Sequence, residues 1–406
     1  MDTASEAKNR SAPADYEQVL AGAGQDAPVF EEDRPTLLGR IQRFLHAYPT
    51  MVPFLVLVIG IAAFTVPLPR LIEVEIPAAV EGQPATVESQ LEYVALAGNR
   101  FFQPFNLSLI VQQVTIIAIL GIAQTLIVLT AGIDLSVGVI MILCSVVMGR
   151  TSVVYGVPLA IAFPLGLLVG LLCGMVNGLI VTKLRMPPFI VTLGTWSIFG
   201  ALNIFYSRSE TIRQQDIEAG APFLQWTGTV IRPYDLVLNT SGLEMSWLKG
   251  SVITYGSLLV VVLAALVWYL LNRTAFGRHI YATGDDPDAA RLAGINTNRT
   301  LIATYALAGL ICAVAAWVLI GRIGGVSPQA GQTANLDSIT AVVIGGTSLF
   351  GGRGSIIGTL IGALIVGVFR NGLALSGLDV LWQEFAVGVL IIVAVALDQW
   401  IRRVSG

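Results

Sequence analysis

The sequence predicts an all-α integral membrane protein of about ten transmembrane helices carrying an inverted internal repeat, on three observations. The chain is 55% apolar and only 12% charged over 406 residues, with a mean hydropathy of +0.76, whereas soluble domains carry about a quarter of their residues charged. It contains ten apolar segments, most of them near the ~20 residues that a helix needs to cross ~30 Å of hydrocarbon with every backbone group bonded internally. Short motifs recur in the same order in its two halves.

Residues 1–34 are polar, small and charged and read as a disordered cytoplasmic tail. Residues 35–47 set Leu37, Leu38, Ile41, Phe44 and Leu45 on one helical face and Arg40 and Arg43 opposite, the pattern of a helix lying at the membrane interface. The apolar segments follow at about 50–67, 106–130, 136–149, 157–182, 189–206, 251–271, 302–320, 337–350, 355–369 and 380–399, the third, eighth and ninth being short for a full span. The first begins near Met51 with no small-residue cleavage site after it, which argues against a removable signal peptide. A transmembrane body over 50–400 is expected, with both termini cytoplasmic.

Charge orients the body. With the N-terminus inside, the interior connections are 131–135, 183–188, 272–301, 351–354 and 400–406. They hold Lys183, Arg185, Arg273, Arg278, Arg291, Arg299, Arg353, Arg402 and Arg403, as the bias of Lys and Arg towards short cytoplasmic loops requires. The long exterior connections 68–105 and 207–250 are instead rich in Glu, Pro, Thr and Asn, and Phe101, Phe102, Tyr206, Trp268, Tyr269 and Trp400 sit at segment ends in the headgroup zone.

The repeat starts at Thr130-Ala131-Gly132-Ile133-Asp134 and again at Thr333-Ala334-Asn335-Leu336-Asp337. Glycine ladders follow, Gly166, Gly170, Gly174 and Gly178, then Gly354, Gly358 and Gly362, leading to Asn177-Gly178-Leu179 and Asn371-Gly372-Leu373. An odd number of segments, five, separates the copies, so they cross the membrane in opposite senses, a transporter device that places the pathway between the halves. The ladders serve close helix packing where lipid gives no hydrophobic drive.

Asp134 lies between two apolar runs, where a carboxylate costs about 2.5–3.5 kcal/mol at mid-bilayer. It has two compatible roles: capping the helix that begins near Leu135, with Ser136, or taking part in gating. Asn177, Thr195 and Asp337 join these two as pathway candidates, with Gln112, Gln113, Gln124, Thr192, Asn203 and Gln383 as further polar groups within the spans. Trp196 and Trp317 are either ring-stacking platforms or interface anchors. Inside, Gly284 to Ile295 reads as a short helix begun by acids and Pro287 and ended by Gly294, with Ala289, Leu292 and Ala293 on one face. Such a helix suits docking into a partner's groove, or it rests on the membrane or its own bundle.

The residues exclude several chemistries. Cys144, Cys173 and Cys312 stand singly in apolar runs and His46 and His279 in polar flanks, which gives no disulfide, zinc or proton-relay spacing. No lysine is followed by Ser or Thr in a phosphate-cradling loop, so any ATP would be hydrolysed on another chain. A net charge of −3 offers no basic stripe for nucleic acid, and no clustered His, Asp or Ser in the spans suggests a membrane enzyme.

A-G-I-D-L-S-V-G at 131–138, G-D-D-P-D-A-A-R-L-A-G-I at 284–295 and G-G-T-S-L-F-G-G-R-G-S at 345–355 resemble the permease subunits of ribose-type ABC sugar importers, from about residue 50 to 400. The resemblance implies a bacterial inner-membrane subunit of the type II importer kind, paired with a second copy or a paralogous permease. Its implied partners are a cytoplasmic tandem-cassette ATPase, which holds ATP and Mg, and a periplasmic sugar-binding protein delivering a pentose or hexose. No cofactor is implied on this chain. Carried over by position, Asp285, Asp286, Asp288, Ala289, Arg291, Leu292, Ala293, Gly294 and Ile295 form the coupling helix, and Asp134 and Ser136 lie by the pathway. The loops at about 70–100 and 207–250 exceed those of the plainest members, on the surfaces where the binding protein would dock. The repeat alone suits an ion-coupled secondary transporter of five-plus-five design equally well; the motifs and the interior loop separate the two.

Overall fold

The computed structural model describes residues 51–66, 68–76, 86–94, 100–241, 245–331 and 333–402; the expected tail at 1–34 and interfacial helix at 35–47 lie outside the described residues. Each of the ten apolar segments is helical. They are α1 (Met51–Thr65), α2 (Pro104–Leu129), α3 (Val137–Gly149), α4 (Leu159–Lys183), α5 (Pro188–Ser207), α8 (Tyr255–Arg273), α11 (Thr297–Ile323), α12 (Ala334–Ile344), α13 (Ile356–Leu375) and α14 (Val380–Arg402). Between them lie the short helices α6 (Gln214–Gly220), α7 (Pro233–Ser241), α9 (Ala275–Asp285) and α10 (Pro287–Leu292). Among the described residues seven helices are long and apolar enough to cross a membrane, and shorter apolar helices stand at Met51–Thr65, Ala334–Ile344 and Val380–Val389.

Two of the segments that looked short for a full span are longer than the sequence suggested, for the same reason. The third continues past Gly149 as a π turn, Arg150–Val154, into an 18-residue span. Arg150, the charge that seemed to end it, is buried with its guanidinium donating to the Ser207 carbonyl at 2.6 Å and to Glu210 at 2.9 Å. The ninth runs over 20 residues to Leu375 because Arg370 and Asn371 find partners. Arg370 pairs with Asp337 at 2.7 Å and Glu384 at 3.0 Å. Asn371 and Asn106 exchange amide hydrogen bonds at 2.9 and 3.0 Å. A charge ends a span only when nothing in the bundle answers it.

The connection 68–105, expected as an exterior loop, contains an antiparallel hairpin of β1 (Leu68–Ile76) and β2 (Thr86–Val94), with Leu68 opposite Val94 and Ile76 opposite Thr86. A second small pairing joins β3 (Val230–Ile231) to β4 (Ile253–Thr254). The membrane body is all helix.

Helix pairings recur between the halves: α4 against α11 and α13 against α2, α3 against α4 and α12 against α13, α3 against α11 and α12 against α2. That is the contact pattern of an internal repeat with α2 and α11 at its centre. Glycines bring these backbones together. A Cβ on Gly170 would overlap the Gly309 carbonyl or Ala313, one on Gly174 the Tyr305 carbonyl, and one on Gly178 would come 2.9 Å from Ile302 Cα. Gly166 meets the Met148 side chain, and in the second half Gly358 faces the Gly345 carbonyl and Gly362 the Ala341 carbonyl. Gly354 differs from the expected ladder. Ser355 caps α13, its hydroxyl accepting from the Gly358 N–H at 3.0 Å, so the helix begins after Gly354, which packs on Thr347 in the preceding turn. Cys144, Cys173 and Cys312 are free and buried in this packing.

The connections sort to two ends. At one, Ile212 bridges Val326, Gln225 donates to the Gly324 carbonyl at 2.8 Å and Gly228 abuts Gly321. At the other, Gly352 N–H donates to the Leu129 carbonyl at 3.0 Å, Gly284 touches both, and Arg185, Arg291 and Asn298 line one cleft. The three connections 131–135, 272–301 and 351–354, which the segment count puts on one side, meet at this second end.

Candidate functional site

The central feature is the break between α2 and α3. Helix α2 closes with Thr130, whose N–H and hydroxyl donate to the Ile127 carbonyl at 3.0 and 2.8 Å. Ala131 then takes a left-handed φ of 60°, a conformation that disfavours a side chain by about 1–2 kcal/mol. Gly132 follows under Tyr305, whose hydroxyl would lie 2.8 Å from any Cβ there. Gly132, Asp134 and Ser136 are buried in protein, Ile133 and Leu135 are half-buried, and Ala131 is exposed.

Side chains from four helices hold this backbone. The Gln124 carboxamide of α2, oriented to satisfy both its ends, donates to the Asp134 carbonyl at 3.0 Å and accepts the Asp134 N–H at 3.1 Å. Thr192 of α5 donates to the Ile133 carbonyl at 3.1 Å and accepts the Leu135 N–H at 3.2 Å. Asn177 of α4 donates to Ser136 Oγ at 2.8 Å and lies 3.5 Å from Asp134 Oδ2. Asn335, from the second copy of the repeated motif, accepts the Gly138 N–H at the start of α3. The first break is thus capped by its own counterpart.

Asp134 is 2% exposed. Its Oδ1 accepts the N–H and the O–H of Ser136, both at 2.6 Å, a turn that organises the entry to α3. Hydrogen bonds of this kind are each worth about 0.5–1.5 kcal/mol net and offset part of the burial cost. Asn177 Oδ1 and Tyr305 Oη are buried without a hydrogen-bond partner among the described residues. Asp337 occupies a different place, on α12 in the ion pairs with Arg370 that tie α12, α13 and α14. Thr195 is buried on α5 and, among the described residues, its hydroxyl bonds to the Thr192 carbonyl at 3.3 Å rather than to the Asp134 cluster. Trp317 is packed by Phe163, Phe223 and Trp226, which occupy its ring, whereas Trp196 stands on the surface. Tyr305, Arg370 and Glu384 escaped the sequence reading. Arg370, a cation inside an apolar run, was the available signal; Tyr305 had none. The described residues contain no group of His, Cys, Asp and Glu that could hold a metal ion.

The second feature is the segment 274–297. Thr274 caps α9 by accepting the Gly277 N–H at 3.2 Å. The chain breaks at Asp286, so the single helix expected from Gly284 splits, with Gly284 and Asp285 ending α9. Asp286 Oδ1 caps α10, accepting the N–H groups of Asp288 and Ala289 at 2.9 and 3.0 Å, and Pro287 takes the first helical position. Arg291 reaches back to Asp288 at 3.1 Å and to Thr297 at 3.0 Å. Gly294, at φ 86°, turns the chain out, and the Ile295 N–H closes on the Ala290 carbonyl at 3.0 Å. Ala290 is buried, while Ala289, Ala293 and Leu292 are exposed, Leu292 by 91%.

Among the described residues, ten apolar helices pack in a repeated pattern around a buried polar turn between α2 and α3, an architecture found in membrane transport proteins. Residues 106–395 match the family described as branched-chain amino acid transport system / permease component, and the chain belongs to that family as a transport subunit. It is 51% identical to the fructose import permease protein FrcC of Rhizobium meliloti over 96% of both chains. It is 38% identical to the ribose import permease protein RbsC of Bacillus subtilis (strain 168), over 75% of this chain and 88% of the relative. With the xylose transport system permease protein XylH of Escherichia coli (strain K12) the identity is 32%, over 74% and 86%. No solved structure matches.

Proposed function

We propose that the chain forms the inner-membrane pathway of an importer for a monosaccharide, a pentose or hexose. A separate cytoplasmic tandem-cassette ATPase drives it, a periplasmic binding protein supplies the sugar, and a second permease copy or a paralogue completes the pathway. The observation that carries this reading is the 51% identity, end to end, to a fructose import permease. The exposed α10 supports it, since a capped helix presenting Leu292 to water suits a partner's groove.

The mechanism is alternating access. ATP binding closes the cassettes, α10 follows them, and the two repeat halves rearrange about the Asp134 break, so that the sugar path opens on one side and then the other. Asp134, Ser136 and Asn177 set the shape of that break. ATP and Mg act on the partner; this chain supplies helices, a docking element and a polar core.

Reconstitution tests the reading. Vesicles containing the permease and its ATPase, with the binding protein and labelled fructose or ribose outside and ATP inside, should accumulate sugar, and omission of any protein should stop it. Accumulation by the permease alone on an ion gradient would overturn the assignment.

A further inference from the structure

Three stretches of backbone, from three separate parts of the sequence, meet at one point in close contact. The end of α9 contributes Gly284, the close of α2 contributes Leu129, and the turn between α12 and α13 contributes Gly351 and Gly352. Gly352 donates its N–H to the Leu129 carbonyl at 3.0 Å. A Cβ on Gly284 would overlap that same carbonyl and come 2.9 Å from the Gly352 nitrogen. Gly351, at φ 85°, leaves a Cβ no room against Ala131 N at 2.8 Å, and Gly352, at φ 70°, none against Asp285 Cα at 2.9 Å. Two adjacent left-handed residues are tolerable here only as glycines. A side-chain bond also spans the junction, Tyr281 Oη donating to the Gly354 carbonyl at 3.0 Å. Burial pushes the Tyr281 phenol up, so the hydroxyl stays protonated and donating at neutral pH.

Position gives the junction its meaning. Gly284 and Asp285 precede the α10 cap by one or two residues. Leu129 and Ala131 lead into the Asp134 break, which belongs to the first repeat copy; Gly351 and Gly352 lead into α13, which belongs to the second. A displacement of α10 therefore reaches both halves at once, through contacts too tight to absorb it by side-chain rotation.

We propose that Gly284, Gly351, Gly352 and Tyr281 are positioning residues that join the docking segment rigidly to both halves of the repeat, so that one push at α10 moves the Asp134 break and the α12–α13 turn together. This rests on the function proposed above and adds the route by which ATPase motion enters the bundle.

The test is the transport stoichiometry of the complete complex in vesicles, sugar moved per ATP hydrolysed, in Gly352→Ala and Tyr281→Phe. Tyr281→Phe removes one hydrogen bond without changing shape and keeps the test decisive if Gly352→Ala fails to assemble. Sugar moved per ATP should fall about threefold or more, while binding-protein-stimulated ATPase activity per assembled complex persists. A role confined to stability would lower the yield of complex and leave the ratio unchanged. An unchanged ratio in Tyr281→Phe, and in Gly352→Ala where it assembles, overturns the proposal. Failure of the unmodified complex to couple ATP to uptake would instead sink the functional reading itself.

Discussion

Asp134 shows how a single side chain is read and misread. Its presence between apolar runs was plain in the sequence, and so was its adjacency to Ser136; the partners that make it tolerable were not, since Gln124, Asn177, Thr192 and Asn335 come from four separate stretches. Asp134→Asn keeps an acceptor for the Ser136 N–H and should retain most transport. Asp134→Ala leaves that buried N–H and hydroxyl without their acceptor, and should cost about 1–3 kcal/mol in thermal or denaturant unfolding together with transport. Gly174→Ala puts a methyl group onto the Tyr305 carbonyl and must push α4 from α11. Overpacking of that kind costs about 1–3 kcal/mol, and a lowered melting temperature of the purified permease would register it.

Elements were legible where local chemistry sets them. Asp286 and Pro287 at the start and Gly294 at the end marked α10, because caps act within one turn. The separation of α10 from α9 at Asp286 had a local signal too, because the residue before Pro287 is pushed into the extended region, but the expectation took Gly284 as the start of one helix. The hairpin of β1 and β2 carried a period-2 signal, Ile72, Val74 and Ile76 alternating with Glu73 and Glu75, which the apolar background obscured. At this scale Leu292→Asp should leave expression and folding intact, because the side chain is 91% exposed, yet abolish ATP-driven uptake. Normal uptake would remove α10 from the docking role. Arg370→Met should destabilise by about 3–5 kcal/mol, as Asp337 is left buried without its cation, and the added change Asp337→Asn should recover part of the loss.

For the molecule as a whole, hydropathy located the apolar helices, because it follows from the solvent a segment must live in, while the charge of the connections set an expected orientation. The repeat was visible as three short matches, and in the structure its copies touch directly where Asn335 accepts the Gly138 N–H. How the halves lean on α2 and α11 depends on glycines whose spacing sequence displays but whose opposing backbone it does not. A symmetric design of this kind predicts that Asn106→Ala, which breaks the reciprocal amide pair with Asn371, should loosen α2 from α13 by about 0.6–2 kcal/mol. Unfolding of the detergent-solubilised protein would measure it.

Because all three native thiols are walled in by neighbouring helices, water-soluble maleimides will find nothing to react with on the intact protein. Reporter cysteines placed at position 292 or 247, one on each proposed side and both strongly exposed, can then be labelled in whole cells against a dark background. An impermeant reagent tagging 247 but sparing 292 until the cells are opened would fix the sidedness of the entire bundle in one gel.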